Sequence, residues 1–408
     1  MSATTRVLVG LTAGALIGLL LVGRDEPLAL RVANVAQPIG KLWLNALQMT
    51  VVPLVLALVV VGVNTTADAA ASGRIARRAI AVFIVILTGG ALFTALAAPL
   101  VFSLFPHNPA LVAALDHASM PAAQVAPLQW VDTLVAIVPS NAIMAAAQSA
   151  MLPLVVFALF LGFALTRIAP VRRTLLVEFF QAIADAMIVI VRWVLWVAPL
   201  GVFALILSVC ARSGLGMLSA LGVYVLVECL LYLAVTVMLL PVAVVFGGER
   251  LRRFAAGLVP AQAVAISTQS SLAALPAMLE SADRRLGYPQ QVASLVLPMA
   301  VSLFRLTSPV QYLTSAAFIA WAYGIDLGAA QLLAGALLAV VISLGSVGLP
   351  GQVTFIATNL PVAQAMGLPL SPLGLMLAVD TIPDTLATLG NVTADMTATS
   401  VVVRQSRR

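Results

Sequence analysis

The stretch Val379-Asp380-Thr381-Ile382-Pro383-Asp384-Thr385-Leu386-Ala387-Thr388-Leu389-Gly390-Asn391-Val392-Thr393-Ala394-Asp395 sets three carboxylates and an asparagine into apolar sequence. At 100° per residue, Asp380, Asp384, Asn391 and Asp395 fall within an arc of about 60°, with Thr388 beside them. A charged side chain at the centre of a bilayer costs about 2.5–3.5 kcal/mol on insertion scales, so three on one stripe need a reason. A helix that gathers them on one face lines a polar site and demands cations, amino groups, protons or an arginine as partners. Pinning the helix to basic residues elsewhere is the plain alternative, but three acids on one stripe exceed what packing requires. Pro383 removes one backbone hydrogen bond and frees the carbonyl of Val379, which is tolerated at membrane depth beside a cavity.

That the stretch belongs in a bilayer follows from the rest of the chain. Of 408 residues, 62% are hydrophobic and 9% charged, and the mean hydropathy is +1.11. Soluble domains carry about 25% charged residues, so this chain lacks the polar surface to face water. The net charge of +6 is not that of a nucleic-acid protein. Basic residues sit in short clusters between apolar runs: Arg74, Arg77 and Arg78; Arg167, Arg172 and Arg173; Arg250, Arg252 and Arg253; Arg284 and Arg285; Arg404, Arg407 and Arg408. A nucleic-acid site needs one contiguous basic face, whereas separate clusters mark membrane topology. Cys210 and Cys229 lie in apolar sequence and are expected as buried small hydrophobes.

Apolar runs long enough to cross recur along the chain. The first, Val7 to Val22, turns at Gly23-Arg24-Asp25-Glu26 straight into further apolar sequence, so it is expected as a retained span and not a signal peptide. Spans follow at about 35–66 and 75–104, then a breaker-rich loop at 105–128 and a broken segment at 129–166. Fifth and sixth spans cover roughly 175–210 and 216–247. Residues 254–282 form two apolar pieces around Ser267-Thr268-Gln269-Ser270-Ser271, and 328–366 two more around Gly345-Ser346-Val347-Gly348-Leu349-Pro350-Gly351. Each pair is either a re-entrant helical hairpin or a kinked full span. Between them, 289–323 breaks near Arg305 to Pro309, and a terminal helix runs over 370–403. With a cytoplasmic N-terminus this layout puts Arg6 and all the clusters inside. Only Arg24, Arg31 and Arg212 remain outside, and Lys41, Arg192 and Arg305 fall within spans. The expected class is an all-α polytopic membrane protein.

Arg305, at the break of the seventh segment, is either a snorkelling arginine or an internal partner for the carboxylate stripe; the internal role relieves both burials at once. Asp185 and Arg192 share a face and are expected to pair. Glu228, mid-way along the sixth span, is open between a structural and a functional role. A membrane-embedded hydrolase is disfavoured: Asp380 and Asp384 lie on one helix without a flanking Gly-x-Gly-Asp, and His107 and His117 lack metal-ligand spacing.

These stretches, with Val51-Val52-Pro53-Leu54-Val55, Ile137-Val138-Pro139-Ser140-Asn141, Met151-Leu152-Pro153-Leu154-Val155-Val156-Phe157-Ala158 and Leu275-Pro276, resemble the dicarboxylate/amino acid:cation symporters over nearly the whole chain. That is the family of the archaeal aspartate and mammalian glutamate transporters. The resemblance implies eight transmembrane helices plus two re-entrant hairpins in an elevator fold. It further implies a homotrimer in a bacterial-type inner membrane, a small-molecule solute, and no cofactor beyond a coupling sodium ion or proton. Residues 1–253 would be mostly scaffold and trimerisation helices with part of the transport domain, and 254–408 the transport core. By matching position, Asp384 would hold a substrate amino group. Ser270, Ser271, Gly351 and Asn391 would hold the α-carboxylate, aided by the positive ends of the hairpin helices, and Thr388, beside the stripe, is expected in the same substrate site. Asn391 and Asp395 would belong to a sodium site, and Asp380, on the same stripe, is expected to take part in ion coupling.

The departures shape the functional expectation. The family's Asn-Met-Asp-Gly-Thr signature falls on Phe304-Arg305-Leu306-Thr307-Ser308, so two sodium ligands become Phe304 and Leu306 while a fixed cation arrives. Arg305 is therefore expected to stand in for sodium beside Asp395 or Asp380, leaving transport sodium-independent or proton-coupled. The arginine of acidic-substrate specialists, three residues past Asp384, is Ala387 here, which favours neutral amino acids over aspartate or glutamate. The alternatives are a C4-dicarboxylate or acidic amino acid symporter, with Arg305 as substitute clamp, and a transport-inactive channel or receptor of the same fold.

Overall fold

The computed structural model describes residues 3–24, 26–71, 73–106, 138–148, 150–213, 215–345 and 351–406. His107, His117, most of the expected 105–128 loop, the start of the fourth segment and the second hairpin tip at 346–350 lie outside these. In lipid every backbone polar group must find a partner within the protein, and helices do this locally. The described residues accordingly fold into helices throughout, with no strand among them. In chain order these are α1 (Ala3–Arg24), α2 (Glu26–Gln48), α3 (Val51–Ala71), α4 (Arg74–Phe102), α5 (Ala142–Ala147), α6 (Met151–Leu165), α7 (Pro170–Trp196), α8 (Ala198–Ser213) and α9 (Leu215–Val245). They continue with α10 (Leu251–Thr268), α11 (Ser271–Arg284), α12 (Gln290–Leu303), α13 (Thr307–Tyr323), α14 (Ala329–Gly345), α15 (Gly351–Ala365), α16 (Leu373–Val379) and α17 (Thr381–Ser406).

Prolines mark several boundaries. Pro53, Pro170, Pro199, Pro309 and Pro383 each sit in the first turn of a helix, where the missing N–H has no intrahelical acceptor to lose. This divides two segments expected to be single. The second span is α2 joined to α3 through Thr50, and the fifth is α7 followed by a separate short helix α8. Among the described residues, Pro27–Asp68, Arg74–Phe102, Pro170–Trp196, Ser219–Val245 and Gln290–Tyr323 are long and apolar enough to cross a membrane, and the α16–α17 pair adds one as a broken span. The first and fourth expected spans contribute shorter apolar helices, Val9–Leu21 and Pro153–Leu165.

Both C-terminal pairs reverse direction, which decides between hairpin and kinked span. In the α10–α11 pair, Arg253 Nε donates to the Arg285 carbonyl at 3.1 Å and Ser281 Oγ to the Gly257 carbonyl, so the outer ends meet. Gln269 makes the turn in the left-handed region (φ 50°). In the α14–α15 pair, Gln331 Nε2 donates to the Met366 carbonyl at 2.8 Å, again joining the outer ends.

Two sets of helix contacts position the site. α1, α2 and α8 pack on one another, and the stripe Gly10, Gly14, Gly18 lets α1 lie against the α8 backbone. A Cβ at Gly14 would stand 2.7 Å from the Phe203 carbonyl oxygen; such small-residue stripes are how helices approach closely in lipid. The other set surrounds α17, which α4, α9, α10, α11, α12 and α13 all touch and which is buried along most of its length. The basic clusters gather at one end of the array. There Arg78 donates to the Gln405 carbonyl, Arg404 to that of Val245 at 2.5 Å, and Arg173 pairs with Asp68 at 2.6 Å.

The terminal helix departs most from expectation. It is not continuous: α16 and α17 meet at 73°, with Asp380 between them. Pro383 is the local cause, since it has no N–H to donate to the Val379 carbonyl four residues earlier, and the chain bends there. Asp185 and Arg192 do not pair; Asp185 instead accepts from Gln181 Nε2 at 3.0 Å. Seven residues span about 10.5 Å of helix axis, too far for a direct bond. Cys210 is buried and Cys229 half-buried, both as free thiols.

Candidate substrate and ion site

Three breaks in regular helix converge on α17: the first hairpin turn, the interruption between α12 and α13, and the α16–α17 bend. Where a helix stops, unpaired N–H and carbonyl groups become available to a ligand. Ser270 begins α11, its Oγ accepting from the Ala273 N–H at 3.3 Å. Gln269 is tied to α17 by Nε2 donating to Thr385 Oγ1 at 2.8 Å, and Gln262, two turns earlier on α10, by a 2.9 Å bond from its Nε2 to Thr393 Oγ1. Neither glutamine was singled out in the sequence, although Gln269 stands within the quoted tip.

Between this turn and α17 lies a cavity of about 10 Å³, lined by Gln269, Ser270, Ser271, Val301, Phe304, Arg305, Thr388 and Asp395. That is room for about one water-sized particle. Asp395 is 1% exposed, and neither of its carboxylate oxygens accepts a hydrogen bond from the described residues. Arg305, half-buried at the α12–α13 break, is the cation whose field acts on it, and the same field reaches Asp380. The Arg305 carbonyl also accepts from Ser343 Oγ on α14 at 3.0 Å, linking the break to the second hairpin.

The stripe is divided by the bend. Asp380 is fully buried away from that cavity, accepting from Gln311 Nε2 of α13 at 2.6 Å. Asn391 is 1% exposed and accepts the Thr307 N–H at 3.0 Å, so it caps α13 through its Oδ1 while its Nδ2 has no partner among the described residues. Asp384 is 7% exposed one turn into α17, and Thr388 donates its hydroxyl to the Asp384 carbonyl at 2.9 Å. Gly351 opens α15.

The two positions where the resemblance expects sodium ligands are packed as core. Phe304 is fully buried and stacked on Phe83 of α4, and Leu306 fits against Gly90, where a Cβ would stand 2.6 Å from Leu306 Cδ1. Glu228, left open from sequence, is fully buried on α9 and accepts from Tyr232 OH at 3.0 Å.

Long apolar helices enclosing this set of buried polar groups define a multi-pass membrane protein with an internal polar site. The family model for the sodium:dicarboxylate symporter family matches residues 3–405, and the chain belongs to that family. It is 30% identical over 404 residues to the proton/glutamate-aspartate symporter of Escherichia coli (strain K12), covering 98% of this chain and 92% of that protein. It is 29% identical to the proton/sodium-glutamate symport protein of Geobacillus stearothermophilus, covering 97% and 93%. It is 31% identical to the neutral amino acid transporter B(0) of Oryctolagus cuniculus, covering 95% and 77%.

Proposed function

We propose that this protein is a secondary active transporter that carries a small amino acid across a bacterial cytoplasmic membrane by an elevator motion, without sodium or with a proton as coupling ion. The observation that carries the reading is Asp395: a buried carboxylate with neither oxygen hydrogen-bonded by the described residues, in a cavity that Arg305 also lines. A fixed cation there does what a bound sodium ion would do for the same carboxylate. Hard cations need a set of oxygen ligands, and at Phe304 and Leu306 the side chains offer carbon.

In this reading Asp384 receives the solute ammonium, while Ser270, Ser271, Thr388, Asn391 and the second tip at Gly351 receive its carboxylate. Asp380, Arg305 and Asp395 balance charge in place of the Asn391–Asp395 sodium site. Residues 254–408 form the moving core together with part of 1–253, and the rest of 1–253 forms the scaffold of a homotrimer. Eight spans and two re-entrant hairpins place both termini in the cytoplasm, in keeping with the basic clusters meeting at one end of the helices. Named relatives include carriers of acidic and of neutral amino acids. Ala387 favours a neutral solute; Arg305, lining the cavity, is the observation that favours an acidic one.

The test is uptake of radiolabelled alanine, serine and aspartate into proteoliposomes, with a sodium gradient, with potassium in its place, and with an inward proton gradient. Sodium-indifferent uptake of a neutral amino acid is expected. Steep dependence on sodium would overturn the coupling assignment, and preference for aspartate the substrate assignment.

A further inference from the structure

Glu228 is not accounted for by the site above, yet it sits at the same depth. α9 runs alongside α17, with Thr236 facing Gly390 and Gly247 facing Ser400, which sets Glu228 beside the α16–α17 corner. Both Glu228 and Asp380 are fully buried. Each has one oxygen engaged by a neutral donor: Tyr232 OH on Glu228 Oε1 at 3.0 Å, and Gln311 Nε2 on Asp380 Oδ1 at 2.6 Å. Each has its other oxygen, Glu228 Oε2 and Asp380 Oδ2, buried without a hydrogen-bond partner among the described residues. The two groups act on each other electrostatically, and both act on Asp384.

The surroundings supply little positive charge. From α9 itself come the hydroxyls of Tyr232 and of Tyr224, the latter sharing a 3.2 Å hydrogen bond with Ser315 of α13, and the neighbouring Cys229 thiol. From α16 and α17 come Asp380 and Asp384, and from the α12–α13 break the field of Arg305, which reaches Asp380. Among the described residues, α4, α8 and α10 bring no charge that acts on Glu228. Two buried carboxylates in each other's field, with the Tyr224 and Tyr232 hydroxyls beside Glu228, form an arrangement that one proton relieves, because it removes a like-charge pair and turns one acceptor into a donor.

We propose that Glu228 and Asp380 form a proton-binding site across the interface of α9 with the α16–α17 corner, one proton per chain, as the coupling ion of the transporter proposed above. On binding, the proton converts one carboxylate of the pair to a carboxylic acid; on release it returns to water and the pair regains its charge. The site differs from the sodium positions of the family pattern because its essential member, Glu228, lies on a helix outside that pattern. It also joins the proton to the solute, since Asp384, the proposed ammonium partner, lies in the field of both acids. An arriving ammonium and an arriving proton relieve the same excess of negative charge.

The test uses the full-length protein in liposomes and two readouts. Infrared difference spectra between acid and alkaline buffer, in H₂O and D₂O, should show a carboxylic acid C=O band in the wild type. That band should vanish in Glu228→Gln and shift in Glu228→Asp. Uptake of the solute should rise with an inward proton gradient in the wild type and lose that response in Glu228→Gln. Should Glu228→Gln not fold, Glu228→Asp and Asp380→Asn carry the same infrared comparison. A band that survives in both Glu228→Gln and Asp380→Asn, or its absence from the wild type, would overturn the site. Failure of the wild type to transport any amino acid would count against the transporter reading alone, because the infrared band reports the proton directly.

Discussion

The ring of Phe304 lies flat on that of Phe83, with centroids 4.8 Å apart and planes within 7°. This stack places carbon where the family pattern has an oxygen ligand, and it fastens the α12–α13 break to α4. Stacked aromatic pairs contribute about 0.5–1.5 kcal/mol beyond the area they bury. Truncation to Phe304→Ala should therefore destabilise the protein by about 3–5 kcal/mol, as fully buried phenylalanines do. Thermal unfolding in detergent measures this; a melting point within error of the wild type would contradict the packing.

Arg305 and Asp395 share a cavity, so their substitutions should not add. Arg305→Met removes the cation whose field acts on the buried Asp395 carboxylate and should lower the melting temperature. The double variant Arg305→Met/Asp395→Asn should recover part of that loss, with a coupling of about 0.5–3 kcal/mol in a double-mutant cycle. Strictly additive melting shifts would show that the two residues do not depend on each other.

Asn391 has a structural task besides its proposed place in the site. Its Oδ1 receives the Thr307 N–H at 3.0 Å, a bond that starts α13. Asn391→Asp keeps an acceptor there and Asn391→Ala does not. The alanine variant should be less stable than the aspartate variant by about 1 kcal/mol, the usual worth of an N-cap. Equal unfolding midpoints for the two would count against the capping role.

In the α1–α8 contact, Gly14→Leu should separate the helices, because even a Cβ would meet the Phe203 carbonyl oxygen at 2.7 Å. Overpacking of this kind costs about 1–3 kcal/mol. Gly89, which has nothing within 4 Å of an added Cβ, is the control, and Gly89→Ala should melt with the wild type. Parallel unfolding of the two variants would refute the close approach.

Much of this architecture was legible along the chain. The clusters of arginine between apolar runs, the two pairs of half-length helices and the break around Arg305 all follow from local composition and the spacing of breakers. The acidic stripe followed from the helical repeat, and Asp384, Asn391 and Asp395 do lie on one helix. The repeat misplaced Asp380 because it assumes a straight axis, and the chain turns through 73° there. It also paired Asp185 with Arg192 on a shared face while ignoring the axial distance between them. The Gly10, Gly14, Gly18 stripe, by contrast, is readable from its spacing of four.

Composition and local pattern suffice to place this chain in a bilayer, to send it across repeatedly as helices and to give it acids that lipid cannot solvate. Those properties are sums over single residues and near neighbours, and they need no knowledge of what packs where. Only the tertiary structure decided which groups meet: Arg305 with Asp395 beside the first hairpin, Gln311 and Glu228 around Asp380, Phe304 on Phe83 where an ion ligand was expected. These encounters join residues up to 221 positions apart (Phe83 to Phe304). A helical repeat tells which face a side chain occupies but not what stands opposite, because that depends on how distant helices pack.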